Sequence, residues 1–158
     1  MKFLLEDLYF LTTDPNLDQF DDLWNVQVTK YLQAFKALYP RLPKRFVQNY
    51  LKTHFHDFVI LSCCIKRVLR GSSFRYDLIM DLQEYANENV HQLHFQNVSM
   101  LKSNLCFQVF CGTCDWIFAE FLPVDDQKMS LEVVLFSDSK LYFEFTKLKY
   151  KKYTENKS

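Results

Sequence analysis

The sequence predicts an α+β fold, in which amphipathic N-terminal helices pack on one face of a curved antiparallel β-meander of about six or seven strands. Apolar residues recur at helical spacing up to residue 53, whereas from residue 56 onward they alternate with polar residues. Short turn signals separate the alternating runs, and strands joined by short turns pair antiparallel. A chain of 158 residues is typical of one domain. We expect a helical part (1–53), a sheet (56–150) and a flexible basic tail (151–158).

Helices are predicted throughout the front part of the chain. Residues 3–11 carry four leucines at helical spacing. The longest helix is predicted from about residue 16 to 39, because one apolar stripe recurs there in steps of three and four: Leu17, Phe20, Trp24, Val28, Tyr31, Phe35 and Leu38. Pro40 and Pro43 end that helix, and Pro43 suits the start of the next one. The apolar face of this next helix comprises Phe46, Val47, Tyr50 and Leu51.

Strands are predicted from the runs in which apolar and polar residues alternate. In the first run, one side of the strand is expected to carry Val59, Leu61, Cys63 and Ile65. A turn at residues 70–73 leads into a half-buried strand over residues 74–82. The further alternating runs cover residues 93–95, 105–109, 116–124, 129–136 and 141–145.

The charges balance over the whole chain but are sorted into blocks. The formal net charge is zero, which argues against a nucleic-acid partner held by general basicity. Residues 1–26 hold six acids and one lysine, whereas residues 27–56 hold six basic residues and no acid. Such sorting within a neutral chain points to a charged partner surface, and complementary faces within the fold are the alternative explanation.

Composition also bears on location. The opening residues lack the apolar core of a signal peptide, and no run approaches the length of a membrane span. We therefore expect a cytoplasmic protein with no membrane partner. The five cysteines are then expected to be buried apolar residues or metal ligands, because disulfides are rare in a reducing compartment.

The first candidate site is His54-x-His56-Asp57, at the change from helical to strand periodicity. A carboxylate can orient a general-base imidazole, and His with Asp can bind a metal, which is the chemistry of metal-dependent hydrolases. The pattern His-x-His-x-Asp-His is not completed, because Phe58 and Val59 follow Asp57. The alternative is that His56 and Asp57 bond backbone groups where helix gives way to strand.

The second candidate site combines His91-x-x-His94 with Cys111-x-x-Cys114, four residue types that bind zinc. Residues three apart on a strand point to opposite faces, so both histidines reach one metal only across a bulge or turn. Buried cysteines beside a hairpin turn are the alternative. A redox Cys-x-x-Cys would need a helix after its first cysteine, whereas residues 115–121 are predicted as a strand. No other cofactor is expected.

Short motifs spread along the chain give a family resemblance. They are Met1-Lys2-Phe3 with Leu8-Tyr9, His56-Asp57 with Val59-Ile60-Leu61, and the aromatic-rich strand Leu141-Tyr142-Phe143-Glu144-Phe145. In these the chain resembles a loose group of small bacterial proteins of uncharacterised function, with N-terminal helices, a His-Asp pair and an antiparallel sheet. Some of them are immunity proteins, which bind and block a toxin. The resemblance implies a protein partner and supplies no catalytic residues.

The sequence therefore favours a non-catalytic protein-binding domain, of the immunity-protein or adaptor kind. No complete catalytic set is visible, and the charges are sorted into blocks. The alternative is a metal-dependent hydrolase or small-ligand-binding enzyme that uses His54, His56 and Asp57.

Overall fold

The computed structural model describes residues 2–3, 17–85, 88–104, 115–135 and 139–154, with the side chains of 17–21 and 115 left aside. The described part confirms the α+β class, with two α-helices and an antiparallel sheet of eight strands rather than six or seven. Two predicted segments lie outside the described residues, namely the helical segment 3–11 beyond Phe3 and the strand 105–109.

The two helices form where the sequence predicts them. Helix α1 spans Leu17–Lys36, a 3-10 turn covers Tyr39–Arg41, and α2 spans Lys44–Thr53. The α2 helix buries Phe46, Val47 and Tyr50, while Leu51 is partly exposed at its edge. The helix ends at His54, which adopts the left-handed conformation and donates its N–H to the carbonyl of Tyr50.

The strands follow one another along the rest of the chain. They are β1 (Phe58–Arg70), β2 (Ser73–Gln83), β3 (Asn89–Gln96), β4 (Met100–Ser103), β5 (Asp115–Pro123), β6 (Met129–Leu135), β7 (Lys140–Phe145) and β8 (Lys147–Thr154). Their order in the sheet is β4-β7-β6-β5-β1-β2-β3-β8. The sheet is therefore not one meander. Two three-stranded meanders, β1-β2-β3 and β5-β6-β7, are joined by pairing between β1 and β5.

The two ends of the sheet are joined through short links in the chain. Strand β3 leads into β4 and β7 into β8, while β3 pairs with β8 and β4 with β7. Two backbone hydrogen bonds bridge the links, from Thr146 N–H to Gln96 O and from Ser99 N–H to Glu144 O, both at 3.0 Å. The two ladders thus run on into each other at these links.

The β8 strand corrects the predicted tail. We expected residues 151–158 to be flexible, but β8 extends to Thr154 and pairs with β3 as far as Asn89. Leu148 is buried and Tyr150 is half-buried, so burial alternates along β8 with the two-residue period of a strand. The lysines between and after them hide this pattern in the sequence, because they occupy the exposed positions of an edge strand.

Two β-bulges reverse the side-chain alternation. In β1 the register shifts between Ile60 and Ser62, so Val59 and Ile65 face opposite sides of the sheet. The prediction that they share one side is therefore wrong. In β5 the register shifts between Trp116 and Phe118. One extra residue in each strand changes which residues face the interior.

The interior is filled largely by aromatic rings from both helices and several strands. Phe46 of α2 contacts Phe121 of β5 with ring centroids 5.1 Å apart, and Phe35 of α1 contacts Tyr50 of α2 at 5.0 Å. Edge-to-face aromatic pairs add directional stability to apolar burial. The helices are thereby fixed against the inner face of the sheet.

Candidate functional site

The far part of the β1–β2 hairpin, residues 61–76, is exposed at every position except Val68, and we call it the arm. Its two strands stay paired to the end, with Leu69 opposite Phe74 and Arg70 opposite Ser73. Gly71 starts the two-residue loop with φ at 61°. A glycine at that position suits the tight hairpin turns that match strand twist. The arm is therefore a regular hairpin that extends past the core.

Large apolar side chains of the arm are open to solvent. The exposed residues are Leu61, Ile65, Leu69, Phe74 and Tyr76, and Leu69 is the most exposed of them at 62%. Cross-strand partners share a face of the sheet, so Leu69 with Phe74 and Arg67 with Tyr76 lie on the same side as Ile65. The guanidinium of Arg67 lies over the Phe74 ring, 3.8 Å from its centroid. Together they form one continuous apolar surface.

The arm is also strongly basic. Residues 61–76 contain Lys66, Arg67, Arg70 and Arg75 and no acid. Arg70 pairs with Asp77 at 3.3 Å. Among the described residues, no ion pair joins Lys66, Arg67 or Arg75 to a carboxylate. The register places Arg67 on the apolar face of the arm, and it places Lys66, Arg70 and Arg75 on the opposite face.

One edge of β1 is largely unpaired within the described part of the chain. On the side away from β2, β1 pairs with β5 only through Phe58 and Val59. Among the described residues, no strand pairs with that edge farther along, from Ile60 to Arg70. Unpaired sheet edges are the sites at which extended peptides add to a sheet.

The predicted histidine site lies elsewhere, in the turn between α2 and β1. His54, Phe55 and Asp57 all have positive φ, at 50°, 54° and 62°. Phe55 is fully buried, and Asp57 N–H donates to the carbonyl of Trp116 at 3.0 Å. These contacts hold a backbone conformation that non-glycine residues rarely adopt.

The side chains of His54 and His56 line the same pocket. This cavity of about 240 Å³ lies between α1, α2 and β5. His56 Nδ1 is 2.9 Å from the Asp57 carboxylate, at an exposed position. Asp57 forms its backbone bond through its own N–H, whereas its carboxylate faces the imidazole.

The two other histidines are separated by the sheet. His91 is fully buried on the inner face, where its Nε2 lies 2.6 Å from a Glu84 oxygen and its Nδ1 lies 2.7 Å from the Tyr150 hydroxyl oxygen. Burial and, more weakly, Lys152 lower the pKa of His91, although Glu84 opposes this. His91 is thus a neutral bridge between β3 and its neighbours.

His94 faces the other side of β3, as the three-residue spacing predicts. Its Nε2 lies 2.8 Å from the buried carboxylate of Asp77. Burial raises the pKa of Asp77. The backbone N–H of Asn97 and the side chains of His94 and Arg70 together outweigh burial, so the pKa is lowered overall. His91 therefore pairs with the carboxylate of Glu84, whereas His94 pairs with that of Asp77.

The zinc prediction is only partly addressed by this geometry. Cys111 and Cys114 lie outside the described residues. Within the described ranges, no group of three or more His, Cys, Asp and Glu side chains is arranged to hold a metal ion. Zinc at His91, His94, Cys111 and Cys114 stays a prediction. Cys63 and Cys64, which we expected to be buried or to bind metal, are exposed on the arm.

Sequence analysis missed the arm. The alternation of apolar and polar residues in β1 and β2 is typical of an ordinary half-buried strand pair. The local sequence does not show that the neighbouring elements leave the far part of these strands uncovered. The available signal was the acid-free stretch from residue 61 to 76, in which apolar and cationic residues are interleaved.

Comparison with known proteins adds no assignment. No protein-family model matches the chain, and no curated protein matches it in sequence. In the described part of the chain, no helix has the length and apolarity needed to span a bilayer. The arm and the pocket are therefore the features from which a function has to be inferred.

Proposed function

We propose that this protein is a non-catalytic protein-binding domain, of the immunity-protein or adaptor kind, and that the arm binds its partner. The observation that carries this proposal is the row of exposed apolar side chains on a regular hairpin, with Leu69 and Phe74 at its end. Exposed apolar surface is costly to keep unless a partner covers it. Aromatic residues and arginine, here Phe74, Tyr76 and Arg67, are also the residues that dominate binding energy at protein interfaces.

The partner surface is expected to be acidic. Arg67 lies on the apolar face of the arm, where it is stacked on Phe74, whereas Lys66 and Arg75 lie on the opposite face. Carboxylates on the partner would pair with these cations and steer its approach. A second copy of the chain is disfavoured as the occupant, because two acid-free arms would place like charges side by side.

The mode of binding that fits the geometry is strand addition. An extended segment of the partner would hydrogen-bond along the edge of β1 between Ile60 and Arg70, with which no described strand pairs. Its alternate side chains would contact the apolar surface around Ile65 and Leu69. Five large apolar side chains favour a protein over a nucleic acid, whose contacts are mainly to phosphate.

Charge reversal on the arm tests the proposal. Tagged wild-type protein is purified gently from cells that carry its gene, beside the Lys66→Glu/Arg75→Glu variant. The matched control is Lys147→Glu/Lys149→Glu, which makes the same charge change at exposed positions of β8. Native mass spectrometry should find an acidic protein at fixed stoichiometry with wild type and control, and at least about tenfold less of it with the arm variant.

A photo-crosslinker at Leu69 then identifies what covers the arm. The proposal requires crosslinks to an extended acidic segment of the retained protein. It fails if the arm variant retains the same proteins as wild type, or if the crosslinked material is nucleic acid.

A metal-dependent hydrolase or small-ligand-binding enzyme is the second candidate, because His56 pairs with Asp57 beside the pocket. It requires metal in the purified protein and loss of that metal in His56→Ala. Equal metal content in the two proteins would contradict the hydrolase.

A further inference from the structure

The pocket beside the histidine turn has aromatic walls. Trp24 and Tyr31 come from α1, Tyr50 from α2 and Phe118 from β5. The bulge in β5 places consecutive residues of this strand, Ile117 and Phe118, in the lining of the cavity. Bulges often redirect a side chain in this way beside a binding site. At about 240 Å³ the cavity is large enough for one substituted ring, since a cavity of roughly 150 Å³ holds benzene.

Most polar groups in the lining already have partners. Tyr31 and Tyr50 bond each other, and Tyr50 also donates to the carbonyl of Ala119. The Thr53 hydroxyl donates to Asn49 O and accepts from Phe55 N–H. These groups therefore stabilise the walls and offer a ligand little hydrogen bonding.

His54 differs from these groups. Its ring packs edge-on against Tyr50, with centroids 5.4 Å apart. Among the described residues, no side chain hydrogen-bonds its imidazole. Burial, and then the neighbouring His56, lower the pKa of His54. At neutral pH its ring is uncharged, with one donor and one acceptor nitrogen.

The same lining disfavours charged ligands. No lysine or arginine is among the described residues that line the cavity, and Asp57 lies next to His56 at its mouth. A carboxylate or phosphate would lose its hydration without gaining a cation. A neutral ligand with a single polar atom loses much less.

We propose that this pocket binds a small neutral aromatic molecule of the phenol class, with its ring against Phe118 and Tyr50 and its hydroxyl bonded to the His54 imidazole. The site is separate from the arm, so it stands or falls independently of the proposed protein partner. The turn that carries His54 and His56 keeps three positive φ angles, and such strained backbone is typical of ligand sites.

Titration with three probes at pH 7.5 tests the proposal. Phenol, benzoate and cyclohexanol are added to isotope-labelled protein while NMR follows the His54 ring signals. Phenol should bind saturably with a Kd below about 1 mM. Benzoate and cyclohexanol should bind at least about tenfold more weakly, because the first is charged and the second lacks a flat ring.

Variants locate the site. Val28 lines the cavity, so Val28→Phe should fill it and weaken phenol binding at least about tenfold. Val26 is 49% exposed on the same helix, so Val26→Phe is a matched control that should bind phenol like wild type. His54→Ala, followed through the Phe118 ring signals, should weaken phenol binding by a similar factor, because the bond to the hydroxyl is lost.

Three results would overturn the proposal. They are tighter binding of benzoate than of phenol, equal phenol affinity in Val28→Phe and wild type, and no saturable change of the His54 signals up to 10 mM phenol, roughly tenfold above the expected Kd. Should Val28→Phe fail to fold, the comparison of probes and the His54→Ala variant still decide the matter.

Discussion

The hydroxyl groups of Tyr31 and Tyr50 hydrogen-bond each other at 2.8 Å in the protein interior. Tyr31 also accepts from Phe121 N–H at 3.1 Å, and Tyr50 donates to Ala119 O at 2.8 Å. This chain of bonds begins and ends on β5 and includes both helices. Burial raises the pKa of both tyrosines, so their hydroxyls stay protonated and can donate.

Tyr50→Phe is expected to destabilise the fold. Removing its hydroxyl leaves the buried Ala119 carbonyl without this donor and the Tyr31 O–H without an acceptor, at a cost of about 1–3 kcal/mol. Urea denaturation measures this loss. Tyr85→Phe is the matched control, because Tyr85 is 81% exposed and its hydroxyl should contribute less than about 0.5 kcal/mol. Equal effects of the two substitutions would show that the buried bonds add nothing.

Ile65 and Leu78 face each other across the hairpin, but only Leu78 is covered. Ile65 is 54% exposed and Leu78 is 1% exposed. Leu78→Ser should therefore lower the free energy of unfolding by about 2–5 kcal/mol, whereas Ile65→Ser should change it by less than about 1 kcal/mol. Chemical denaturation of both variants measures these changes in the free energy of unfolding. A large loss in Ile65→Ser would mean that this part of the arm is covered in solution.

Acidification is expected to destabilise the protein through His91 and His54. The pKa of each is lowered in the folded state, so the unfolded chain binds more protons below pH 6.5. Stability should be fully present above that pH and fall as the pH drops toward the folded pKa, with a slope of at most about 1.4 kcal/mol per pH unit for each histidine.

Thermal unfolding between pH 7.5 and 5 measures this slope. The His54→Gln/His91→Gln variant should lose most of it. Asp77 acts in a separate range, because its lowered pKa adds stability that is lost only as the pH falls below 3.8. A wild-type slope that survives in the double variant would exclude both histidines as its source.

Glu120 is expected to order the start of the chain. Its buried carboxylate accepts from the backbone N–H of Lys2 at 2.7 Å and of Phe3 at 2.8 Å. Glu120→Ala should cost about 2–4 kcal/mol and speed hydrogen exchange at both amides. Asp22→Ala, at an exposed position of α1, should do neither. Unchanged exchange at residues 2 and 3 in Glu120→Ala would refute this role.

The sequence predicted local structure better than tertiary structure. The bounds of α1 follow from the stripe that includes Trp24 and Phe35, because helical spacing records which face is buried. The spacing of apolar residues does not show the register between paired strands in the same way. A bulge adds one residue with no sequence signal, so Val59 was assigned to the same face as Ile65. Strand β8 was missed because lysines fill its exposed positions.

The candidate site, too, could be predicted from the sequence only where its residues are close together in the chain. His54 and His56 are close in sequence and were named as one candidate site, and both line the pocket. Its aromatic wall could not be predicted, because Trp24 and Phe118 meet only through the packing of α1 on β5, with ring centroids 5.2 Å apart. The exposure of Leu69 likewise depends on where neighbouring strands end.

The most direct test of the arm as a binding surface is amide hydrogen exchange on β1, with and without the partner retained by wild-type protein. Strand addition predicts slower exchange at alternate amides between residues 60 and 70, because every second N–H on that edge would gain a hydrogen bond. The amides of β8 should not change. Unchanged exchange along β1, with protection elsewhere on the molecule, would contradict the proposed role of the arm.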